Sequence, residues 1–597
     1  MSAASQLPTT GTYSSTKRDS FVSRNGTRLE VDGDEFKVVG PNVYWLGLDE
    51  NVDPNPAYPT KGRILEAMAI ASVMGATTIR SQTLGISVGT GLSVENALNT
   101  FKDNSSAAWD AIDSAVYAAR YYNLRLVLPL TDQYDYYHGG IPTFLRWRNL
   151  SSTDFSPFYD LSSSVYADWE AYIRNLLTHV SPYTNLTLAT DPTVLAFETG
   201  NELGDWTGSS YPPPVEWTTS IAKLLKELAP STLVLSGTYG VQKDELEIEG
   251  VDMHSDHFYP TYISRLTSSA SLAYSHNKPF LAGEYDWTGS LYSRLRWAWF
   301  AMAIPVVLAA FVLVSPKRWW TRETTLRRIA TCGIAGRKRR KRQKGLTGRR
   351  AEAGQETNDP TSLSNSTDAS PPCESLSPSH LDETSGDDKF LLSASHGSTS
   401  TLPILSSSAT TTTSFPPTPS DSAPPRGRSS FLDRPFHTRP WHFSLLILIV
   451  LLPILGALLH TYFPSSISAF LSSLSSLSST PSSSSSASSP SSSPKAVGDL
   501  YWSLFGRDAS CCAYVQHHDG YTLHYPADPA ASSSAAEAGS GEGVLRLVKH
   551  AWEVRGERPY WLDPSAKEVR DLRLKDLPVV ACPQEGLRLA NGTVVGG

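Results

Sequence analysis

The sequence predicts an α/β fold, a (β/α)8 TIM barrel interrupted between its seventh and eighth strands, and three observations carry that reading. Short apolar, β-rich runs alternate with segments of helical periodicity from about Phe21 to Thr288. Seven such units in succession favour a closed parallel barrel over an open sheet. The missing eighth strand is supplied by Asp499-Leu-Tyr-Trp-Ser-Leu-Phe505, beyond a long stretch of different composition.

In chain order, the strand-like runs are Phe36–Val43, Thr77–Ile79, Leu124–Leu130, Val194–Phe197, Thr232–Leu235, Val251–His257 and Pro279–Ala282. Helical spacing marks Lys61–Met74, Ala108–Tyr122, Val165–Leu177, Pro214–Leu228 and Tyr262–His276 between them. Further on, Ile467, Phe470, Leu471, Leu474 and Leu477 recur at the helical period, a candidate seventh barrel helix, and Gly543–Glu553 reads as a closing helix.

The interruption has its own logic. Trp297–Ser315 and Phe443–Phe463 are uncharged apolar runs, the second containing Pro453. Each is long enough to cross a ~30 Å hydrocarbon core as a helix, and each is apolar on every face. Trp297, Trp299, Trp319, Trp320 and Trp441 stand at their ends, where interfacial aromatics belong. Residues 316–441 open on a basic cluster that includes Arg337-Lys-Arg-Arg-Lys-Arg342, then become a Ser/Thr/Pro tract with too little apolar surface to fold. Read alone, the basic run would suit a nuclear signal or nucleic acid. Beside an apolar span it reads as a cytosolic flank, which puts Met1–Arg296 and Pro464–Gly597 together on the lumenal or extracellular side. The sequons at Asn25, Asn104, Asn149, Asn185 and Asn591 fall on that side.

The expected organisation is a polar N-terminus (1–20), barrel strands one to seven (21–290), spans at 297–315 and 443–463 around a cytosolic loop (316–441), a candidate barrel helix with a serine-rich linker (464–497), and strand eight with the C-terminal closure (498–597). Met1–Ser20 lacks the apolar run of a secretory signal, which by itself would point to the cytosol; the two spans point the other way. A formal charge of −7 gives no bulk attraction for nucleic acid, and none is expected as a partner. Five cysteines are too few for a disulfide scaffold; a bridge from Cys582 to Cys511 or Cys512 stays open. No spacing resembles a zinc site, and neither metal nor cofactor is expected. The oligomeric state is not legible.

The chemistry concentrates at strand ends. Asp191-Pro-Thr-Val-Leu-Ala-Phe-Glu-Thr-Gly-Asn201-Glu202 is a buried strand ending in Asn-Glu, which puts a carboxyl group at the C-terminal rim, where barrel active sites are built. Lys278-Pro-Phe-Leu-Ala-Gly-Glu284-Tyr ends the seventh strand in a second carboxyl group, facing the first across the mouth. A separation of roughly 5 Å between them suits a double-displacement, retaining glycosidase. Glu284 would be the ionised nucleophile, with Arg80 and Tyr259 as suitable neighbours; Glu202 would hold a proton for the leaving oxygen, favoured by burial and by the charge of Glu284. Asn201 is placed to bond a sugar 2-hydroxyl. Glu198 and Asp286 are read as structural, while Trp45, Tyr134, Trp206 and Trp287 stay divided between lining sugar subsites and packing.

Taken together these segments resemble glycoside hydrolase family 5, in particular its β-mannanase-like members. Gly40-Pro-Asn-Val-Tyr-Trp45 is similar to the family's first-strand ending, and Arg80 in Thr-Thr-Ile-Arg-Ser to the second-strand arginine that supports the nucleophile. His257-Phe-Tyr259 matches the sixth-strand His-x-Tyr, whose tyrosine contacts the nucleophile, and Trp502 the eighth-strand tryptophan that floors the reacting sugar's subsite. The resemblance covers about Phe21–Thr288, resumes near Asp499 and leaves the interruption out. Leu130-Thr-Asp-Gln-Tyr-Asp-Tyr carries no histidine at the third strand's end, a departure from the cellulase-like members. The resemblance implies an endo-β-1,4-mannosidase-like hydrolase with a polysaccharide substrate, and the two spans add membrane anchoring with lipid as the second partner. A β-1,4- or β-1,3-glucanase or transglycosylase of the same family is the alternative. From another class comes an inactive, membrane-tethered glycan-binding or wall-sensing protein.

Overall fold

A computed structural model describes residues 18–52, 54–205, 212–288, 466–478, 495–508, 513–515, 517, 519–526, 535–563, 567–580, 587–588 and 594–595. All belong to one of the chain's two compact units, Met1–Leu313 with Ile449–Gly597. The apolar runs 297–315 and 443–463, the loop 316–441, all five cysteines and Trp206 lie outside the described residues. Among the described residues no helix is long and apolar enough to cross a membrane.

Eight parallel strands make the central sheet: β1 (Val38–Pro41), β2 (Thr78–Arg80), β3 (Arg125–Pro129), β4 (Val194–Glu198), β5 (Leu233–Ser236), β6 (Met253–Phe258), β7 (Phe280–Tyr285) and β8 (Gly498–Tyr501). Each pairs with its neighbour in chain order from β2 to β8, and β8 pairs with β1. The ring closes through a parallel bridge between Asn42 and Arg80, with Val43 N–H donating to the Arg80 carbonyl at 2.9 Å and Thr77 N–H to the Val39 carbonyl at 2.8 Å. This is a (β/α)8-type barrel in which strand eight is drawn from the far side of residues 289–465.

Helices α1 (Lys61–Val73), α2 (Ala107–Tyr121), α3 (Ser164–Thr178), α4 (Val215–Leu228), α5 (Ile263–Ser275), α6 (Ile467–Ser478) and α7 (Ala535–Arg555) follow the strands. After β5 a single 3-10 turn, Lys243–Glu245, takes the helix's place. Starts follow capping chemistry: Thr60 and Ser163 accept hydrogen bonds from the third backbone N–H onward, Arg63 and Tyr166. In α3, Trp169, Tyr172, Ile173, Leu176 and Leu177 form one buried stripe, the spacing that makes the segment helical. The serine-rich stretch does form the seventh barrel helix: Phe470 packs at 5.3 Å from Phe258 and 5.5 Å from Tyr285.

Two features differ from the sequence reading. The stretch before β1 is not barrel wall but a three-stranded antiparallel sheet, Ser23–Asn25, Arg28–Val31 and Asp34–Phe36. Leu29, Val31 and Phe36 join the inward-facing Val127, Leu195, Leu233, Met253, Leu281 and Leu500 in one buried cluster, plugging the end of the barrel away from the carboxyl rim. The seventh strand also runs three residues further than the apolar run indicates, to Tyr285, so Glu284 lies within it. Burial of Gly283 and Glu284 inside the barrel, rather than their apolarity, extends the strand.

Residues 466–580 are packed into this frame rather than appended to it. Asp499 of β8 accepts from the buried Tyr285 hydroxyl at 3.0 Å and pairs with His550 of α7 at 2.9 Å. Arg63 on α1 donates to the Arg507 carbonyl at 2.7 Å, and Arg507 pairs with the buried Glu66 at 2.5 Å. Trp552 lies flat against Gly75, where a Cβ would sit 2.9 Å from the indole.

Candidate active site

The site is built at the carboxyl ends of the strands. Beyond β4 the chain turns through Thr199 and Gly200 to Glu202, whose φ of +52° is the left-handed region that a glutamate rarely adopts. The chain leaving β5 comes very close to this turn: a Cβ on Gly237 would fall 1.7 Å from the Gly200 carbonyl oxygen. Such strain at a rim residue costs about 1–3 kcal/mol and marks a carboxyl group aimed by its surroundings.

Glu202 and Glu284 each bring one carboxylate oxygen, and His257 one ring nitrogen, within 4.8 Å of one another. His257 Nδ1 donates to Glu202 Oε1 at 2.7 Å and lies 3.7 Å from Glu284 Oε2. A register shift between Asp256 and His257, where β6 pairs with β7, sets the imidazole in this place. Opposite it, Gly283 leaves room: a Cβ there would meet His257 Nε2 at 3.0 Å. Tyr134 donates its hydroxyl to Glu202 Oε2 at 2.9 Å.

Around Glu284, Arg80 Nη1 donates to Oε1 at 2.5 Å, Tyr259 to Oε2 at 3.1 Å, and Gln82 Nε2 reaches Oε1 at 3.5 Å. Arg80 is fully buried; its Nη1 also donates to Asn42 Oδ1 (3.2 Å), while Nε donates to Glu198 Oε2 (2.6 Å) and Nη2 to Asn201 Oδ1 (2.8 Å). Asn201 is thereby fixed as an acceptor toward Arg80 and a donor toward Asp132 at 3.3 Å. Trp502 is half-buried, stacked on Tyr44 at 5.2 Å with the rings 11° apart, and its indole N–H donates to Asp519 at 2.6 Å.

All seven residues singled out from the sequence, Arg80, Asn201, Glu202, His257, Tyr259, Glu284 and Trp502, thus stand at this end of the barrel. The divided aromatics separate. Tyr134 touches Glu202, whereas Trp45 is fully buried, its indole N–H on the Leu504 carbonyl at 3.2 Å and the Arg63 guanidinium 4.0 Å over its ring. Trp45 is therefore packing. Trp287 is also buried, its N–H held by the Tyr521 carbonyl at 2.6 Å. Glu198 is structural in a sharper sense than expected, since it anchors the arginine that holds Glu284. Asn42 lay in the quoted first-strand ending; Gln82 and Asp519 had no signal, because only the folded chain brings them close.

Electrostatics depart from the simple expectation. Burial raises both glutamates. For Glu202 this is overcome by the hydrogen bond and charge of His257, then by Tyr134 and Arg80, so its carboxyl sits below the ordinary value. For Glu284 burial prevails over the opposing charges of His257 and Arg80, and its carboxyl stays above. His257 is lowered by burial but lifted further by Glu284 and by its bond to Glu202, leaving it above the usual histidine value. The resting trio therefore keeps a proton on or beside the imidazole, 2.7 Å from Glu202. By spacing alone the trio would also suit a cation. Its carboxylate oxygens already face Arg80, Tyr259 and Tyr134, an arrangement suited to handling a proton and an ionised nucleophile.

Residues 19–266 match the family model described as GH family 5 beta-mannosidase-like. Among curated proteins, mannan endo-1,4-beta-mannosidase 2 of Oryza sativa subsp. japonica is 28% identical over 245 residues, 40% of this chain and 52% of the relative. Mannan endo-1,4-beta-mannosidase 5 of Arabidopsis thaliana is 28% identical over 228 residues, 37% of this chain and 50% of the relative. The matched stretch thus spans about half the length of these relatives. Among solved structures, an endo-1,4-beta-mannanase from Rhizomucor miehei aligns over 45% of this chain and 82% of its own, at 18% identity and a TM-score of 0.38.

Proposed function

We propose that the chain is a retaining β-glycoside hydrolase acting on β-1,4-mannan. The observation that carries this reading is the pair Glu202 and Glu284, with carboxylate oxygens within 4.8 Å, one held by a buried arginine and the other by a histidine. That spacing leaves no room for a water between carboxylate and sugar and suits a covalent intermediate. The family match at residues 19–266 and the mannan-directed names of the relatives support the substrate class.

In the first half-reaction Glu284 Oε2 attacks the anomeric carbon, while Glu202 gives a proton to the departing glycosidic oxygen. The proton reaches Glu202 from the His257 side of their hydrogen bond. Formation of the glycosyl ester consumes the Glu284 charge, so Glu202 loses a like-charged neighbour and becomes a base. In the second half Glu202 takes a proton from water, the hydroxide adds at the anomeric carbon, and Glu284 departs as carboxylate. Arg80 and Tyr259 stabilise that carboxylate at each end of the cycle, and Trp502 offers its free face to the sugar.

Membrane tethering is part of the proposal. It is supported by the apolar runs 297–315 and 443–463 and by the basic residues that follow the first of them. Protease protection of residues 316–441 in sealed vesicles tests it; digestion from the lumenal side overturns the orientation.

For the enzyme, reducing-sugar release is measured on a panel of β-mannans and β-glucans, beside Glu284→Ala. Release from mannan that disappears in the variant is expected. Binding without release on every substrate would instead favour a glycan-binding protein, and release from glucan alone would reassign the substrate.

A further inference from the structure

The chain reverses at Asp519-Gly520-Tyr521, with φ +85° at Gly520. Both oxygens of Asp519 are engaged: Oδ2 accepts the Trp502 indole N–H at 2.6 Å, and Oδ1 accepts the Tyr521 backbone N–H at 2.8 Å. His517 Nε2 lies 3.5 Å from the same Oδ2. The Tyr521 carbonyl accepts from Trp287 Nε1 at 2.6 Å and from Ser503 N–H at 3.2 Å, which locks the turn to the ends of β7 and β8. Its ring packs 5.4 Å from the ring of Tyr259, whose hydroxyl donates to Glu284. One short turn therefore touches two groups at the reaction centre from behind, and it lies outside residues 19–266.

We propose that Asp519 and Tyr521 are positioning residues for the hydrolysis, Asp519 acting through the Trp502 indole and Tyr521 through the Tyr259 phenol. The inference rests on the hydrolase reading above. An indole that offers one face to a sugar must not rotate or tilt. Tyr44 fixes the other face of Trp502 by stacking, and a carboxylate on its N–H removes the remaining freedom with a charge-assisted bond. Tyr259 holds the Glu284 carboxylate only while its ring keeps its angle. The Tyr521 ring supplies the wall that sets it.

The test is steady-state hydrolysis of β-mannan by the full chain. Asp519→Leu is expected to lower kcat/KM about tenfold, the scale of a lost hydrogen bond to a charged group. Asp519→Asn, whose amide oxygen still accepts from the indole, recovers most of the loss. In a Trp502→Phe background, which lacks the N–H, Asp519→Leu costs no more. Tyr521→Ala is expected to move the acid limb of kcat/KM to higher pH by about half a unit, because a loosened Tyr259 no longer favours the ionised nucleophile. Tyr521→Phe keeps the wild-type profile, and Tyr259→Phe abolishes the effect of Tyr521→Ala.

Melting temperatures within a few degrees of wild type separate these effects from misfolding, and the conservative variants carry the test if the others fail to fold. Losses that add fully across either double-mutant pair, or an acid limb that Tyr521→Ala leaves in place, overturn the positioning role while hydrolysis stands. A wild type that releases sugar from none of the glycans overturns the hydrolase reading, and this inference with it.

Discussion

Residues 18–288 contribute seven of the eight barrel strands and, among the described residues, every group that hydrogen-bonds Glu202 or Glu284; residues 466–580 contribute the eighth barrel strand, the last two α-helices and Trp502. The first region holds both glutamates of the candidate site. The second holds the first in shape: Asp499 caps the buried Tyr285, Arg507 answers the buried Glu66, and Trp552 covers Gly75. The difference teaches that the chemistry was legible from contiguous motifs, whereas the frame that makes it work comes from a segment far away in sequence. Barrel closure demands this, because seven parallel strands leave two exposed edges and an open mouth.

The bluntest way to break the comparison is to separate the regions. A chain ending at Thr288 retains both glutamates, and we expect it to show no detectable hydrolysis and no cooperative thermal unfolding, read by sugar release and by circular dichroism. Sugar release from that fragment would show the second region to be dispensable. Next in size, Glu284→Gln is expected to cut kcat by about 10⁴-fold or more with the melting temperature little changed, since a nucleophile is lost and the packing kept. Trp552→Ala should do the reverse, destabilising by about 3–5 kcal/mol while the fraction still folded keeps its kcat. Denaturant titration alongside active-site titration checks both.

Two pH experiments sharpen the comparison within the first region. Tyr134→Phe removes a donor that favours ionised Glu202, so the proton held between His257 and Glu202 is bound more tightly and the alkaline limb of kcat/KM moves up by about half a unit. A downward or absent shift would remove Tyr134 from the acid/base machinery. The second concerns Glu95, fully buried, which accepts a hydrogen bond from Asn99 N–H at 2.8 Å while its other oxygen has no partner. Burial pushes its carboxyl up to about 7. The native state then binds more protons than the unfolded chain, so stability falls as pH rises from about 4.5 to about 7. Glu95→Gln should flatten that fall and be the more stable form above it, as urea titrations at both ends of the window would show.

Much of the fold and most of the site could be read before any coordinates. Strand-ending signatures such as Asn201-Glu202, His257-Phe-Tyr259 and Gly283-Glu284 are local in sequence, and alternation of apolar runs with helical periods is local too. What escaped depends on distance. Trp45 sits beside Tyr44 in sequence and both are buried, yet Trp45 packs under the Arg63 guanidinium while Tyr44 stacks on Trp502, because adjacent residues near a strand end face opposite sides. The antiparallel plug fell inside the bounds given to the barrel, where no strand was read before Phe36, because its strands are only three or four residues long. The positive φ of Glu202 and the protonation balance around His257 need the neighbours of folded space, and so do Asp519 and Tyr521. The apolar runs 297–315 and 443–463 were legible only as composition.

Residues 289–465 lie between the end of β7 and the start of α6, so this excursion departs from, and returns to, the rim that carries Glu202 and Glu284. The opposite end of the barrel is occupied by the antiparallel plug. Any mechanical load borne by the excursion therefore enters the protein at its working edge, close to Glu284 and Trp287. On the tethered hydrolase reading proposed above, a leash fixed there would act like a hand on the jaw of a tool rather than on its handle: it would limit which stretches of a polymer the mouth reaches, and lengthening or shortening it would change reach before it changed chemistry.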